Sequence, residues 1–240
     1  MSAESGSPPL PSAGDGPSVA FCPPAPLLLP AVEGRAVAET TDLRRACRAA
    51  VAAMLAVGPE TVVVVAEAPA GTRHGAGDVA RLRGLGLDLD VPFAGPSAAE
   101  PGIAGVGFGV GAWLLDEASF AGRRIGVGPA DLAGVLGECA GPVGVLALGD
   151  GSARRGVKAP GYLDEAAGPF DAVVAGALAR GDAAALAALD PAEGRRLLAA
   201  GVPVWRAVGS ALAGRSIAGR LHADAAPFGV GYLVADWTAR

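Results

Sequence analysis

The sequence predicts an α/β fold with three layers: a largely parallel or mixed central sheet, helices on both faces, a C-terminal helical block and a final strand. Three observations predict it. Thr61–Ala66 (TVVVVA) and Val143–Leu148 (VGVLAL) are nearly continuous apolar runs, the pattern of strands covered on both faces. Helical periodicity alternates with such runs through the first 150 residues. Beyond Pro169, helical segments follow one another, broken at Gly181, Asp190-Pro191 and Gly201.

Taken in order, residues 1–17 are rich in Ser, Pro and Gly and read as a disordered tail, leaving 18–240 as one domain. Ser18–Cys22 reads as a short strand, halted by the prolines of Cys22-Pro23-Pro24-Ala25-Pro26. Leu43, Cys47, Ala50, Val51 and Met54 mark one face of a helix; Arg44, Arg45 and Arg48 fall on its other side. Thr40 or Thr41 is a candidate cap, and Gly58-Pro59 ends the helix. The strand Thr61–Ala66 exits into Glu67-Ala68-Pro69 and a glycine-rich loop holding His74. Residues 79–92 are irregular and 94–102 form a loop. Ile103–Val110 alternates glycine with apolar residues and reads as a strand; the helix is expected from Ala112 to Phe120. The GVGFGVGA stretch has the wrong glycine spacing for a dinucleotide loop. Arg124–Val127 is a strand, Ala130–Ala140 a helix, and Val143–Leu148 the central strand. Helices are expected near 169–180 and over 182–189, 192–200 and 204–212, followed by strands at 217–223 and 230–235.

Bulk composition narrows the function classes. Apolar residues make up 51% of the chain, and the formal net charge is −5. That balance argues against a nucleic-acid footprint. Lys158 is the only lysine among 19 basic side chains. Three unpaired cysteines, Cys22, Cys47 and Cys139, predict a reduced, cytoplasmic protein. No apolar run reaches the ~20 residues of a membrane span, and the first residues lack the pattern of a signal peptide.

In α/β proteins the loops at the carboxyl ends of strands carry the chemistry. Here the central strand breaks on Gly149-Asp150-Gly151-Ser152 and enters a loop with Arg154, Arg155 and Lys158, closing at Pro160-Gly161-Tyr162. Gly151 to Lys158 resembles a phosphate loop, but the lysine is displaced by one position and Ala159 follows it. Ser152 and Cys22 stand at strand ends without a nucleophile elbow or a nearby histidine. The two histidines, His74 and His222, have no spaced partner.

These segments resemble the B-subunit-like family of class III extradiol ring-cleavage dioxygenases, whose fold the Memo proteins share. The resemblance covers roughly residues 18 to 237. It lies in Cys22 to Pro30, in Gly149-Asp150-Gly151-Ser152-Ala153-Arg154, and in the helices marked by Phe170-Asp171, Gly181-Asp182, Leu189-Asp190 and Trp205. The resemblance implies the fold and a strand-end pocket lined by Cys22, Pro24, Glu67, Asp150, Ser152, Ala153 and Tyr162. It also implies Fe(II) and catalytic histidines, and there the sequence departs. Pro24, Glu67 and Ala153 fill the slots where the family carries histidine. Neither proline nor alanine ligates iron or moves a proton.

The leading expectation is therefore a non-standard, inactive homologue that needs no cofactor and binds a small ligand or a protein partner, with a homodimer through 170–214 as one form. The alternative is an active Fe(II) ring-opening enzyme with a site rebuilt from Glu67, His74 and His222. A metal-free variant of that alternative uses Asp150 and Lys158 as catalytic residues.

Overall fold

The structure, a computed structural model, describes residues 16–35 and 37–240. All but the last two residues of the expected tail lie outside that range. Elements follow in chain order. Strand β1 (Ser18–Cys22) leads through a 3-10 turn into the short α1 (Pro30–Glu33) and the long α2 (Ala38–Leu55). Then come β2 (Thr61–Val65), β3 (Arg73–His74), β4 (Val79–Arg81), β5 (Asp90–Pro92) and β6 (Ile103–Ala104). Helix α3 (Val106–Glu117), β7 (Arg123–Val127), α4 (Leu132–Glu138) and β8 (Val143–Leu148) complete the first half. Four helices follow: α5 (Ala167–Arg180), α6 (Ala183–Ala187), α7 (Pro191–Arg196) and α8 (Val202–Ala211). The antiparallel pair β9 (Ile217–Ala225) and β10 (Tyr232–Ala239) ends the fold.

The main sheet has seven strands in the order β3-β7-β2-β8-β1-β10-β9. Strands β7, β2, β8 and β1 are parallel; β3, β10 and β9 run against their neighbours. A small second sheet has the order β5-β4-β6. Because side chains alternate along a strand, the central strands split cleanly between two cores. Val19, Phe21, Val63, Val65, Val145 and Ala147 face α4, α5, α6 and α8. Ala20, Cys22, Val62, Val64, Leu146 and Leu148 face α2, α3 and the small sheet. The expected three-layer α/β architecture is what the chain forms. Among the described residues, no helix is long and apolar enough to cross a membrane.

Three local readings are corrected. The GVGFGVGA stretch is helix, not strand: β6 ends at Ala104 and α3 starts at Val106. The glycines bring α3 down onto the two sheets. A Cβ at Gly109 would sit 2.7 Å from the Ala80 Cβ, and one at Gly111 would sit 2.8 Å from Val64 and 2.9 Å from Leu148. Close packing, not strand propensity, put glycine there. Arg44 does not face solvent. It is buried, pairs with Glu33 at 2.6 Å, and donates to the carbonyls of Leu27 and Leu28 at 2.8 and 2.7 Å. It thereby fixes the proline-rich loop after β1 to α2. Neither threonine caps α2: Val37 holds the N-cap position, and Thr40 and Thr41 donate back to its carbonyl.

Candidate functional site

The parallel direction of β1, β2, β7 and β8 puts the chain after Cys22, Val65, Val127 and Leu148 on one edge. Two adjoining depressions open there. The inner one, about 210 Å3, is walled by Pro24, Ala66, Glu67, Gly149 and the first turn of α3, Gly105 to Phe108. The outer cleft, about 500 Å3, is walled by Leu198, Val202, Pro203, Arg195 and Arg206. Glu67 and Ala200 belong to both, so the two are continuous. A further cavity of about 690 Å3 lies at the opposite edge, where β1 and β8 begin, beside Ser18 and Val143.

Glycines make the inner pocket. A Cβ at Gly107 would touch Pro24 at 3.3 Å and Ala66 at 3.6 Å. A Cβ at Gly149 would stand 2.5 Å from the Cα of Gly201, the residue that caps α8. The Gly201 N–H donates to the Asp150 carbonyl at 2.8 Å. The start of α8 is thus pinned under the end of β8, with Trp205 buried beneath it.

The structure divides the expected site residues into three groups. Pro24 and Glu67 meet across the inner pocket. Cys22, Ser152 and Ala153 serve the scaffold. Cys22 is buried, and a hydrogen bond with the Cys47 thiol together with burial pushes its own thiol well above the ordinary value. It packs as an apolar residue. Ser152 is fully buried; its Oγ donates to the Leu197 carbonyl at 2.7 Å and accepts the Arg154 N–H at 3.1 Å. The Ala153 N–H donates to the Leu198 carbonyl at 3.3 Å, and its own carbonyl accepts the Gly161 N–H at 2.9 Å. Lys158 and Tyr162 form the third group. Both are exposed, Tyr162 at 75%, so neither lines a pocket.

Asp150 is strongly perturbed at this edge. Its Oδ1 is buried without a hydrogen-bond partner, and burial pushes its carboxyl from 3.8 up to about 7. The Asp150 charge adds to burial in raising Tyr232, to about 12. The folded state therefore holds this proton more tightly than the unfolded chain does. Its stabilising contribution is complete below pH ~4 and is lost as pH rises through about 7. Asp150→Asn is expected to remove that slope. The variant should gain ~1–3 kcal/mol over the parent at pH 8 relative to pH 5, less than the full shift implies because the residue keeps some exposure. Urea titrations across that range check it, and parallel curves for the two proteins would sink the assignment.

The structure does not bring the two histidines together: His74 lies on β3 and His222 on β9, the two outermost strands of the seven. Six strand spacings put them roughly 25–30 Å apart, far beyond one ion's reach. Each imidazole has a local carboxylate instead. His74 Nδ1 lies 3.2 Å from Asp78, with its ring 4.9 Å from that of Phe108, one of the inner-pocket walls. His222, the extra residue of a bulge opposite Val234 and Ala235, lies 2.5 Å from Asp236. Among the described residues no group of three or more His, Cys, Asp or Glu could hold a metal. The inner pocket offers one donor side chain, Glu67, which does not fit the two-histidine, one-carboxylate set of a non-haem iron centre.

Sequence reasoning missed the outer cleft. Leu198, Ala200 and Arg206 fall inside the expected helices 192–200 and 204–212 and Pro203 between them, although the Ala199-Ala200-Gly201 break between α7 and α8 marks where the helical block turns toward the strand ends. No protein-family model matches this chain, and no curated protein matches it.

Proposed function

We propose that the chain is a non-standard relative of the B-subunit-like class III extradiol dioxygenases that has given up iron-dependent ring opening and holds a small ligand at the same strand ends. One observation carries the reading: Pro24 and Glu67 face one pocket at the carboxyl ends of β1 and β2, and no imidazole lines it. The three-layer sheet supports the fold part of the reading, and the three loops quoted above support the kinship.

The pocket's own residues define what it can do. Pro24, Ala66 and Phe108 give it apolar walls, the glycines of α3 keep the space open, and Glu67, exposed, is the one carboxylate in its lining. This is a binding site with one polar anchor.

After anaerobic loading with Fe(II), elemental analysis is expected to find no stoichiometric iron, and the loaded protein should leave catechol unopened. Native mass spectrometry of the purified chain should find a small molecule bound. Ala200→Trp, at an exposed position shared by both depressions, should release it. One iron per chain together with ring opening would overturn the proposal, as would an Ala200→Trp protein that keeps its ligand.

A further inference from the structure

Strand β3 stops early and leaves part of β7 open. It has two residues, Arg73 and His74, which pair with Val127 and Gly126. The chain then turns away at Gly75, whose N–H donates to the Asp78 carboxylate at 3.0 Å. Arg123, Arg124 and Ile125 of β7 therefore have a strand neighbour on the β2 side alone. Alternation decides which backbone groups are left over. The Arg123 N–H donates to the Glu60 carbonyl at 3.0 Å, and the Val127 carbonyl accepts the Ala66 N–H at 3.3 Å, so both residues turn their backbone groups to β2. Arg124, of the opposite parity, turns its N–H and carbonyl outward. Among the described residues neither group has a backbone partner on that side. A depression of about 410 Å3 lies there, walled by Arg73, His74, Gly75, Gly95, Arg123 and Arg124 among others. It takes the place that a continuation of β3 would fill.

The walls carry charge of one sign. Three arginines line the depression and no carboxylate does. Three carboxylates stand close behind, and each is engaged: Glu138 with Arg73 at 2.9 Å, Asp116 with Arg124 at 2.7 Å, and Asp78 with His74 at 3.2 Å. Arg124 spends its guanidinium further on the carbonyls of Phe93, Ala112 and Phe120. Arg123 is different. It is exposed and has no ion-pair partner among the described residues, Glu60 at the neighbouring strand end included. Its parity puts it on the face of Ile125 and Val127, the side of α4. One uncompensated cation thus stands beside an unpaired stretch of strand edge.

We infer that this edge binds an extended peptide segment of a partner protein, which pairs with the backbone of Arg124 and sets an acidic side chain against Arg123. Strand addition of this kind divides the work: main-chain bonds hold the segment, and the guanidinium selects its side chain. A second copy of this chain does not fit by the same edge, because a two-fold axis there would bring the arginines of the two copies together. A phosphate backbone satisfies a guanidinium but has no N–H to give the Arg124 carbonyl, and the net charge of −5 works against nucleic acid as well. The depression shares no wall with the strand-end pocket or the outer cleft, and needs neither a ligand nor iron there.

The probe is a synthetic peptide, acetyl-Thr-Val-Glu-Val-Thr-Val-amide, titrated into the isotope-labelled full chain to about 5 mM and followed by amide resonances. The Arg123 and Arg124 amides should shift, with a dissociation constant on the order of 1 mM or below, and solvent exchange of the Arg124 amide should slow. Arg123→Glu, at an exposed position, should keep the thermal midpoint, weaken this peptide ~10-fold, and prefer the same peptide with Lys in place of Glu. A peptide of the same charge, N-methylated at Glu and both flanking Val residues, should not bind. Amides of Arg123 and Arg124 that stay still at the top concentration overturn the inference. So does an N-methylated peptide that binds as well as the parent, which would leave charge alone as the attraction, or an Arg123→Glu protein indifferent to the peptide's charge.

Discussion

Trp237→Ala is expected to lower the unfolding free energy by ~3–5 kcal/mol, the range for deleting a fully buried large aromatic. Trp237 sits on β10, essentially sealed from solvent, with its ring edge-on to Phe21 of β1 at 4.8 Å between centroids. Its Nε1 donates to the Leu178 carbonyl at 2.7 Å, near the end of α5. The substitution leaves a cavity in the core under the helical block and removes the shorter of two bonds to the Leu178 carbonyl, which keeps only the Gly181 N–H at 3.4 Å. Both effects act in the same direction. Trp237→Phe separates them: it refills most of the space and loses only the indole hydrogen bond, so it should lose ~1–2 kcal/mol. Denaturant unfolding of the three proteins measures this. A Trp237→Phe protein as unstable as Trp237→Ala would show that the hydrogen bond, and not the packing, dominates.

Asp171→Leu should lose ~3–5 kcal/mol by a different route. Asp171 lies on α5 with no solvent exposure. Its Oδ1 accepts the Ser152 N–H at 2.9 Å and its Oδ2 pairs with Arg155 at 2.8 Å. Burial raises its carboxyl, and the Ser152 N–H and Arg155 pull it back. Leucine would leave a guanidinium and an amide unpaired, in a space beside Gly151 and Gly231 so tight that a Cβ added at Gly151 would stand 2.7 Å from the carboxylate. The loss should concentrate in the loop. Hydrogen exchange at residues 152–163 should rise well before the rest of the sheet opens, and protection that falls evenly across the sheet would refute this local role.

The strands β1, β2 and β8 were legible in the sequence because burial on both faces leaves an unbroken apolar run, and α2 because its stripe repeats at helical spacing. The α3 segment was misread because its glycines alternate with apolar residues, mimicking a strand's period of two. They serve close contact with Ala80, Val64 and Leu148, which are remote in sequence. Arg44 misled for the same reason: its partners, Glu33 of α1 and two carbonyls of the 3-10 turn before it, are not disclosed by single-residue polarity. At the site, the strand-end loops could be located from element order, whereas Pro24 and Glu67 were singled out only through the family resemblance. Whether His74 and His222 could meet depended on strand order, which no local pattern encodes, and the order sets them on opposite edges. The outer cleft was hidden because it is a gap between helices whose residues each look like ordinary packing.

The place of β1 in the sheet has a kinetic consequence. Its two neighbours are β8, more than a hundred residues later, and β10, the last strand of the chain. During synthesis β1 is therefore made first and seated among the last. Until then its apolar residues and both of its unpaired edges have no native partner. Loop closure over such separations is slow, and an unpaired strand edge invites pairing with other chains. The proline-rich turn that follows at once, Pro23-Pro24-Ala25-Pro26, keeps that waiting strand to five residues and withholds the backbone donors an extended partner would need.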